Sequence, residues 1–344
     1  MNPPPPLRLR LDEAALAHNW RRLDQLSGSA RAGAAVKANA YGLGARRVVR
    51  SLAAAGCRDF FVAYAGEAAE LIGLVDPGQI SILHGPQNAE EALWIAAQGF
   101  KPVINSLRQA EIWLGAGSNA CQLMVDTGIN RIGLTEKELA APSIASLEIE
   151  TVFSHLASAE EDVPLNRIQL NRWNAACHII GRGQRSLANS AGTMLGKDYH
   201  GDLTRPGLAL YGGVPCSALE QHIRQVAYPE VSLLQVREVE AGDGIGYNST
   251  FVAPRDMKVG VAAIGYADGY LRHWSGKGAM WVGDKRLPVL GRVSMDMTVI
   301  DLSEASDLQE GDWVAVEYSL PQAALKSGLS QYEILTAMGH RFAR

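Results

Sequence analysis

Between residues 12 and 225 the chain alternates between short apolar runs and longer stretches of helical period, and this alternation most limits how it can fold. Leu16, Trp20 and Leu23 fall on one face of a first helix, after which Gly33 to Val36 reads as a buried strand. Further apolar runs follow: D-F-F-V-A-Y (59–64), I-S-I-L-H (80–84), K-P-V-I-N (101–105), C-Q-L-M-V-D (121–126), I-E-T-V-F-S-H (149–155), R-S-L-A-N (185–189) and H-G-D-L-T-R (200–205). Most are separated by a helical run such as N-A-E-E-A-L-W-I-A-A-Q (88–98) or the stretch 166–180. Parallel strands need crossovers of that length, so the eight strand-then-helix units predict an α/β fold with a closed (β/α)8 TIM barrel over residues 10–225.

After residue 226 the helical period largely disappears. V-S-L-L-Q-V-R-E-V-E, M-K-V-G-V-A-A-I-G-Y, A-M-W-V-G-D-K-R-L-P-V-L-G-R-V, M-T-V-I-D-L and D-W-V-A-V-E read as strands between turn residues, with G-D-K-R a hairpin. A C-terminal all-β domain is expected over 226–344, with residues 1–9 associated with it and the proline run at 3–6 a short arm.

At 344 residues and 47% hydrophobic, the chain can fill two cores. Its net charge is -4 and no basic run occurs, which argues against nucleic acid or an anionic membrane surface and for a small-molecule ligand. Cys57, Cys121, Cys177 and Cys216 form no C-x-x-C pair, so neither a zinc site nor a disulfide framework is indicated. The basic start of a secretion signal is missing, as is an apolar stretch of membrane-spanning length, and a soluble cytoplasmic protein is expected.

In such a barrel, reactive groups belong at the C-terminal ends of the strands. The polar residues there are Lys37, His84, Asp126, His155, Asn189 and Arg205. Any one of them could be a solvated strand end; six on one rim mark a site. After the last two strands come N-S-A-G (189–192) and R-P-G-L-A-L-Y-G (205–212), where Ser190 offers a hydroxyl and Gly207 and Leu208 offer N–H groups to a phosphate. With a lysine ending the first strand, this combination suggests a phosphorylated carbonyl cofactor held as a Schiff base.

The motifs A-V-K-A-N-A-Y-G, V-D-T-G-I-N-R-I-G, H-L-A-S-A, N-S-A-G, R-P-G-L-A-L-Y-G, G-Y-N-S-T, G-Y-A-D-G-Y, R-V-S-M-D-M and Y-E-I-L, in this order from about residue 7 to the end, resemble alanine racemase, the fold-type III family dependent on pyridoxal 5'-phosphate (PLP). The resemblance implies that Lys37 is the Schiff-base lysine and one of two bases, and Tyr247 the other. It puts Tyr41, Ser190, Gly207, Leu208 and Tyr332 around the phosphate, with Asn189 beside them. Arg205 then faces the pyridine nitrogen and His155 lies beside the ring. Arg131 and Met295 belong at the substrate carboxylate and cofactor oxygen, with Asp296 in the same loop, and Tyr266 at the entrance. The resemblance also implies a homodimer in which Tyr247 and the 295–296 loop reach the partner's cofactor, and a role in supplying D-alanine for peptidoglycan.

Chemistry favours the same roles. Racemisation removes a weakly acidic Cα proton and returns one on the opposite face, which two bases on opposite faces achieve. Free lysine and tyrosine titrate near 10.4 and 10, each about that value, so cationic neighbours must lower at least one. A hydrogen-bonded chain from Arg205 through His155 to Tyr247 is expected to do so.

Two positions depart from the family. Met124 stands where many alanine racemases have a carbamylated lysine that holds the arginine, so Arg131 is expected to use a bound chloride or a nearby carboxylate instead. Asn248 stands where the family usually has glycine. A racemase of broader specificity, for serine or lysine, stays open, as does a PLP carrier without catalysis; a basic amino-acid decarboxylase is disfavoured by G-Y-N-S-T and R-P-G. No family motif covers His84, and His18, His178, His222, His273 and His340 have no metal-ligand spacing.

Overall fold

The computed structural model describes residues 5–117, 120–339 and 341–343; Pro3 and Pro4 of the expected arm, and His340, lie outside them. The chain divides into two compact units, one running from Glu13 to Arg224, the other joining the residues up to Asp12 with those from Gln225 on.

In the first unit, the strands Ala34–Ala35, Phe60–Val62, Ile80–Ile82, Lys101–Ile104, Ala120–Met124, Glu148–Phe153 and Gln184–Ser186 pair in that order, every pair parallel. An eighth strand, Leu203–Thr204, pairs in parallel with Arg31–Ala32, the first half of the first strand. Gly33 lies between the two halves of that first strand, where a Cβ would come within 2.6 Å of the Phe61 ring. The amides of Asp202 and Arg205 donate to Arg185 and Ala188, while those of Gly33 and Ala35 donate to Thr204 and Pro206. Bonded on both sides, the eighth strand closes the barrel. Phe61, Val103, Met124, Phe153 and Leu203 fill its interior with Leu83 against them.

The helices pack outside it. Helix Glu13–Leu26 buries Leu16, Trp20 and Leu23, as their spacing requires, together with Asn19. Asn19 is fully satisfied, donating to the carbonyls of Leu210 and Arg224 and accepting from the Arg224 amide. Helix Ala89–Gln98 starts where the Asn88 side chain accepts from the Glu91 amide, and helix Pro164–Ile180 starts with proline in its first turn. The seventh and eighth strands depart from the expected pattern. Short 3-10 turns follow them, at Gly192–Met194, Lys197–Tyr199 and Leu208–Tyr211, leaving the loops close to the barrel mouth.

In the second unit, Ala227–Val239, Met257–Ala262, Thr298–Asp301, Lys285–Leu290, Ala279–Val282 and Trp313–Val316 pair antiparallel in that order, and the last returns to the first. This is a closed antiparallel barrel. Leu7–Leu11 adds a further strand onto Ala227–Val231. The G-D-K-R hairpin turns at Gly283 (φ +58°), pairing Val282 with Lys285. Helices Leu320–Ser327 and Gln331–Thr336, which the strand-dominated pattern does not suggest, follow the last strand. Among the described residues, no helix is long and apolar enough to cross a membrane.

Candidate active site

Lys37 follows the first barrel strand and opens an unusual turn. Ala38, Asn39, Ala40 and Tyr41 all have φ of 53–54°. For residues with a Cβ this left-handed conformation costs roughly 1–2 kcal/mol each, so the turn must be held from outside. The amides of Ala40, Gly42 and Gly44 donate to Val36, Ala38 and Asn39, and the Asn39 side chain accepts from the Ala45 amide at 2.7 Å. Glu67 accepts from the Ala38 amide with one oxygen and the Ala63 amide with the other, both at 2.7 Å. The Lys37 amine is pushed below its ordinary pKa by burial and by the positive charges of Arg131 and Arg205, while Glu67 opposes them. Tyr41 ends the turn buried against Tyr211, ring centroids 4.9 Å apart, and burial raises its hydroxyl to about 12, which keeps it a proton donor.

Arg205, 7% exposed, is fixed at the end of the eighth strand. One terminal nitrogen donates to the Ser186 carbonyl at 2.8 Å and hydroxyl at 2.6 Å, the other to the Ser154 and Leu187 carbonyls. Its guanidinium carbon stands 4.8 Å from the Phe153 ring centroid. Nε is the nitrogen left without a protein partner among the described residues. Burial lowers the guanidinium to about 10, so it stays charged at neutral pH. His155 is driven down to about 3 by burial, then by Arg205, Arg131 and Lys37, and is neutral. The expected hydrogen-bonded relay fails at its first link: Arg205 donates to serine and backbone acceptors and acts on His155 through charge alone.

Beside this group lie the residues expected at the phosphate, and the Gly207 amide expected to face it is instead donated to Ser190. The Ser190 hydroxyl accepts from the amides of Gly207 (2.9 Å) and Ala209 (3.2 Å), so its own proton is directed elsewhere. A Cβ on Gly207 would sit 2.4 Å from the Tyr41 hydroxyl, so only glycine lets Tyr41 close over this backbone. Leu208 begins the 3-10 turn that follows. The Asn189 side chain accepts from the Gly192 amide at 2.9 Å and supports the loop that carries Ser190.

Arg131 lies in the loop after the fifth strand. Both Asp126 oxygens are taken by that loop's amides, from Gly128 through Arg131, so Asp126 is a loop-former. The nearby carboxylate expected to replace the family lysine is not found: among the described residues no acidic side chain pairs with the Arg131 guanidinium. Met124 is 6% exposed in the barrel core, where it fills space. His84 stacks on Tyr64, ring centroids 6.5 Å apart.

The remaining candidates belong to the second unit. Tyr247, 63% exposed, opens the turn Tyr247–Ser249, where Asn248 has φ +63°. Asparagine tolerates that left-handed region better than most residues. The amides of Tyr266 and Ala267 donate to the Ser294 and Met295 carbonyls, which brings Tyr266, Met295 and Asp296 together. Arg341 clamps this pair of segments, with Nε 2.7 Å from buried Asp268 and a terminal nitrogen 2.7 Å from Asp296. Tyr332 is half-buried in helix Gln331–Thr336. Sequence reasoning passed over Glu67, Ser186, Phe153 and Arg341; apart from the Ala63 amide four residues before Glu67, their partners lie 19 or more residues away and leave no local signal.

Residues 11–215 match the family model for the alanine racemase N-terminal domain and residues 226–344 that for the C-terminal domain. The chain is 38% identical to an alanine racemase of Rhizobium meliloti, covering 98% of this chain and 96% of that protein. It is 37% identical to a biosynthetic alanine racemase of Agrobacterium fabrum, covering 98% and 93%. Among solved structures, the alanine racemase of Bartonella henselae with covalently bound pyridoxal phosphate superposes with a TM-score of 0.90 at 34% identity, covering 99% of both chains. The biosynthetic alanine racemase of Pseudomonas aeruginosa gives 0.87 at 33% identity, again covering 99% of both.

Proposed function

The chain belongs to the alanine racemase family, and on that premise we propose that it interconverts L-alanine and D-alanine with PLP, Lys37 and Tyr247 serving as the two bases. When bound, PLP supplies an electron sink for the carbanion left at Cα. What supports the reading is the buried Arg205, whose Nε has no protein partner among the described residues and whose charge acts on Lys37, a lysine of lowered pKa.

In this reading Lys37 holds the cofactor's carbonyl carbon, and Tyr41, Asn189, Ser190, Gly207, Leu208 and Tyr332 seat its phosphate. Arg205 keeps its own protons, so it offers the ring nitrogen a hydrogen bond and does not protonate it. Neutral His155 adds no further positive charge beside the ring. That restrains the sink and favours quick reprotonation of the substrate. Lys37, with its depressed pKa, exchanges the proton on one face at lower energetic cost than an ordinary lysine, and Tyr247 serves the other. Arg131 attracts the substrate carboxylate, Met295 and Asp296 border it, and Tyr266 stands at the entrance. We assign Tyr247 and the 295–296 loop to the partner's site in a homodimer, and the enzyme to the cytoplasm, supplying D-alanine for peptidoglycan.

The test is chiral chromatography of L-alanine incubated with the purified protein and PLP. Enantiomers have equal free energy, so the mixture must approach equal amounts. If L-alanine, serine and lysine all stay unchanged despite bound PLP, the reading is overturned in favour of a carrier; if only serine or lysine racemises, the substrate assignment changes and the racemase reading stands. Arg131 has no acidic side-chain partner among the described residues, which favours testing a broader pocket, and racemisation of serine or lysine in the same assay would reveal one.

A further inference from the structure

The left-handed turn after Lys37 and the residue that anchors it point to a role that the two-base scheme does not include. We propose that Glu67 is a positioning residue for Lys37, its single carboxylate tying the left-handed turn to the end of the second strand and holding a negative charge beside the amine.

Two observations carry this. The first is geometric. Glu67 accepts from the amide of Ala38, the residue directly after Lys37, and from that of Ala63, just past the second strand, both at 2.7 Å. One side chain thus bridges the ends of two neighbouring barrel strands at the point where the backbone turns left-handed through four consecutive non-glycine residues. The second is the charge around the amine. Lys37 faces Arg131 from the loop after the fifth strand, and Arg205 and His155 from the ends of the eighth and sixth. Arg131 and Arg205 are cationic and His155 is neutral, so Glu67 is the anion in the group, and it opposes the depression that burial and the arginines impose.

The proposal rests on the reading of Lys37 as the cofactor-binding amine, but its test does not use turnover. The full chain, freed of PLP, is reductively methylated with formaldehyde across a pH series, and modification at Lys37 is quantified by peptide mapping. Only the neutral amine reacts. Glu67→Gln keeps an oxygen acceptor and loses the charge, so the midpoint for Lys37 modification should move to lower pH by about half a unit or more. Glu67→Ala should shift it likewise and also speed hydrogen exchange at the Ala38 and Ala63 amides by about tenfold or more. If Glu67→Ala does not fold, Glu67→Gln alone carries the test. An unchanged Lys37 midpoint overturns the proposal even if the variant melts earlier, since that outcome leaves only a structural role. If the midpoint shifts while the wild-type protein racemises nothing, the proposed activity fails and the role of Glu67 stands.

Discussion

The guanidinium of Arg205 rests 4.8 Å from the centre of the Phe153 ring, while Ser186 accepts two hydrogen bonds from one of its terminal nitrogens. This grip leaves Nε as the group offered to a ligand. Arg205→Lys keeps a charge but cannot reproduce the planar fork, so PLP binding should weaken by roughly tenfold or more, read from cofactor absorbance in equilibrium dialysis. Ser186→Ala removes one of the two acceptors and should lower stability by about 1 kcal/mol in urea unfolding.

Gly207 and Tyr41 should be coupled. Gly207→Ala places a methyl group 2.4 Å from the Tyr41 hydroxyl position, so the tyrosine must move and PLP affinity should fall by about tenfold or more. Tyr41→Phe removes the clashing oxygen. The double variant should therefore bind PLP better than the sum of the two single losses requires, which a double-mutant cycle measures.

Met124 occupies the barrel core as an apolar side chain. Met124→Ala should destabilise the protein by about 2–5 kcal/mol in denaturant unfolding. Methionine cannot be carbamylated, so stripping bicarbonate and carbon dioxide from the assay should leave the racemisation rate unchanged; a rate restored by added bicarbonate would contradict this.

His155 sets a pH dependence whose sign is fixed. Its folded pKa of about 3 lies below its ordinary 6.5, so between those values the unfolded chain binds a proton that the folded chain does not. Stability should therefore fall as pH drops from 6.5 towards 3, by up to about 4 kcal/mol from this group. His155→Gln, neutral throughout, should flatten that part of the stability curve for the PLP-free protein. An equally steep curve in the variant would assign the loss to other groups.

Much of the barrel was legible in the sequence because buried parallel strands must be apolar runs separated by helices, and the runs at 80–84 and 101–105 begin at the residues where Ile80–Ile82 and Lys101–Ile104 begin. The rim was legible because strand ends mark it. What could not be read depends on long-range partners or on backbone sign. A-N-A-Y contains no glycine, and nothing local distinguishes a left-handed turn there from an ordinary helical one. Arg205 is expected to meet His155, but its terminal nitrogens are taken by the Ser186 carbonyl and hydroxyl and the Ser154 and Leu187 carbonyls, acceptors that no local sequence signal announces. Helices Leu320–Ser327 and Gln331–Thr336 were missed because they are short and follow a long run of strands.

The strand Leu7–Leu11 pairs with Ala227–Val231, so once synthesised it finds its neighbour only after more than two hundred further residues have been added. At about 5–20 residues per second that is a delay on the order of tens of seconds. During that interval three leucines lie on one face of an unpaired extended segment, a form that invites pairing with another nascent copy. Arg8 and Arg10 occupy the opposite face and put positive charge on any such dimer. In the finished protein the same two arginines cover the Trp313 and Tyr228 rings at 4.2 and 4.1 Å, so side chains that guard the strand while it waits become part of its packing once it is paired.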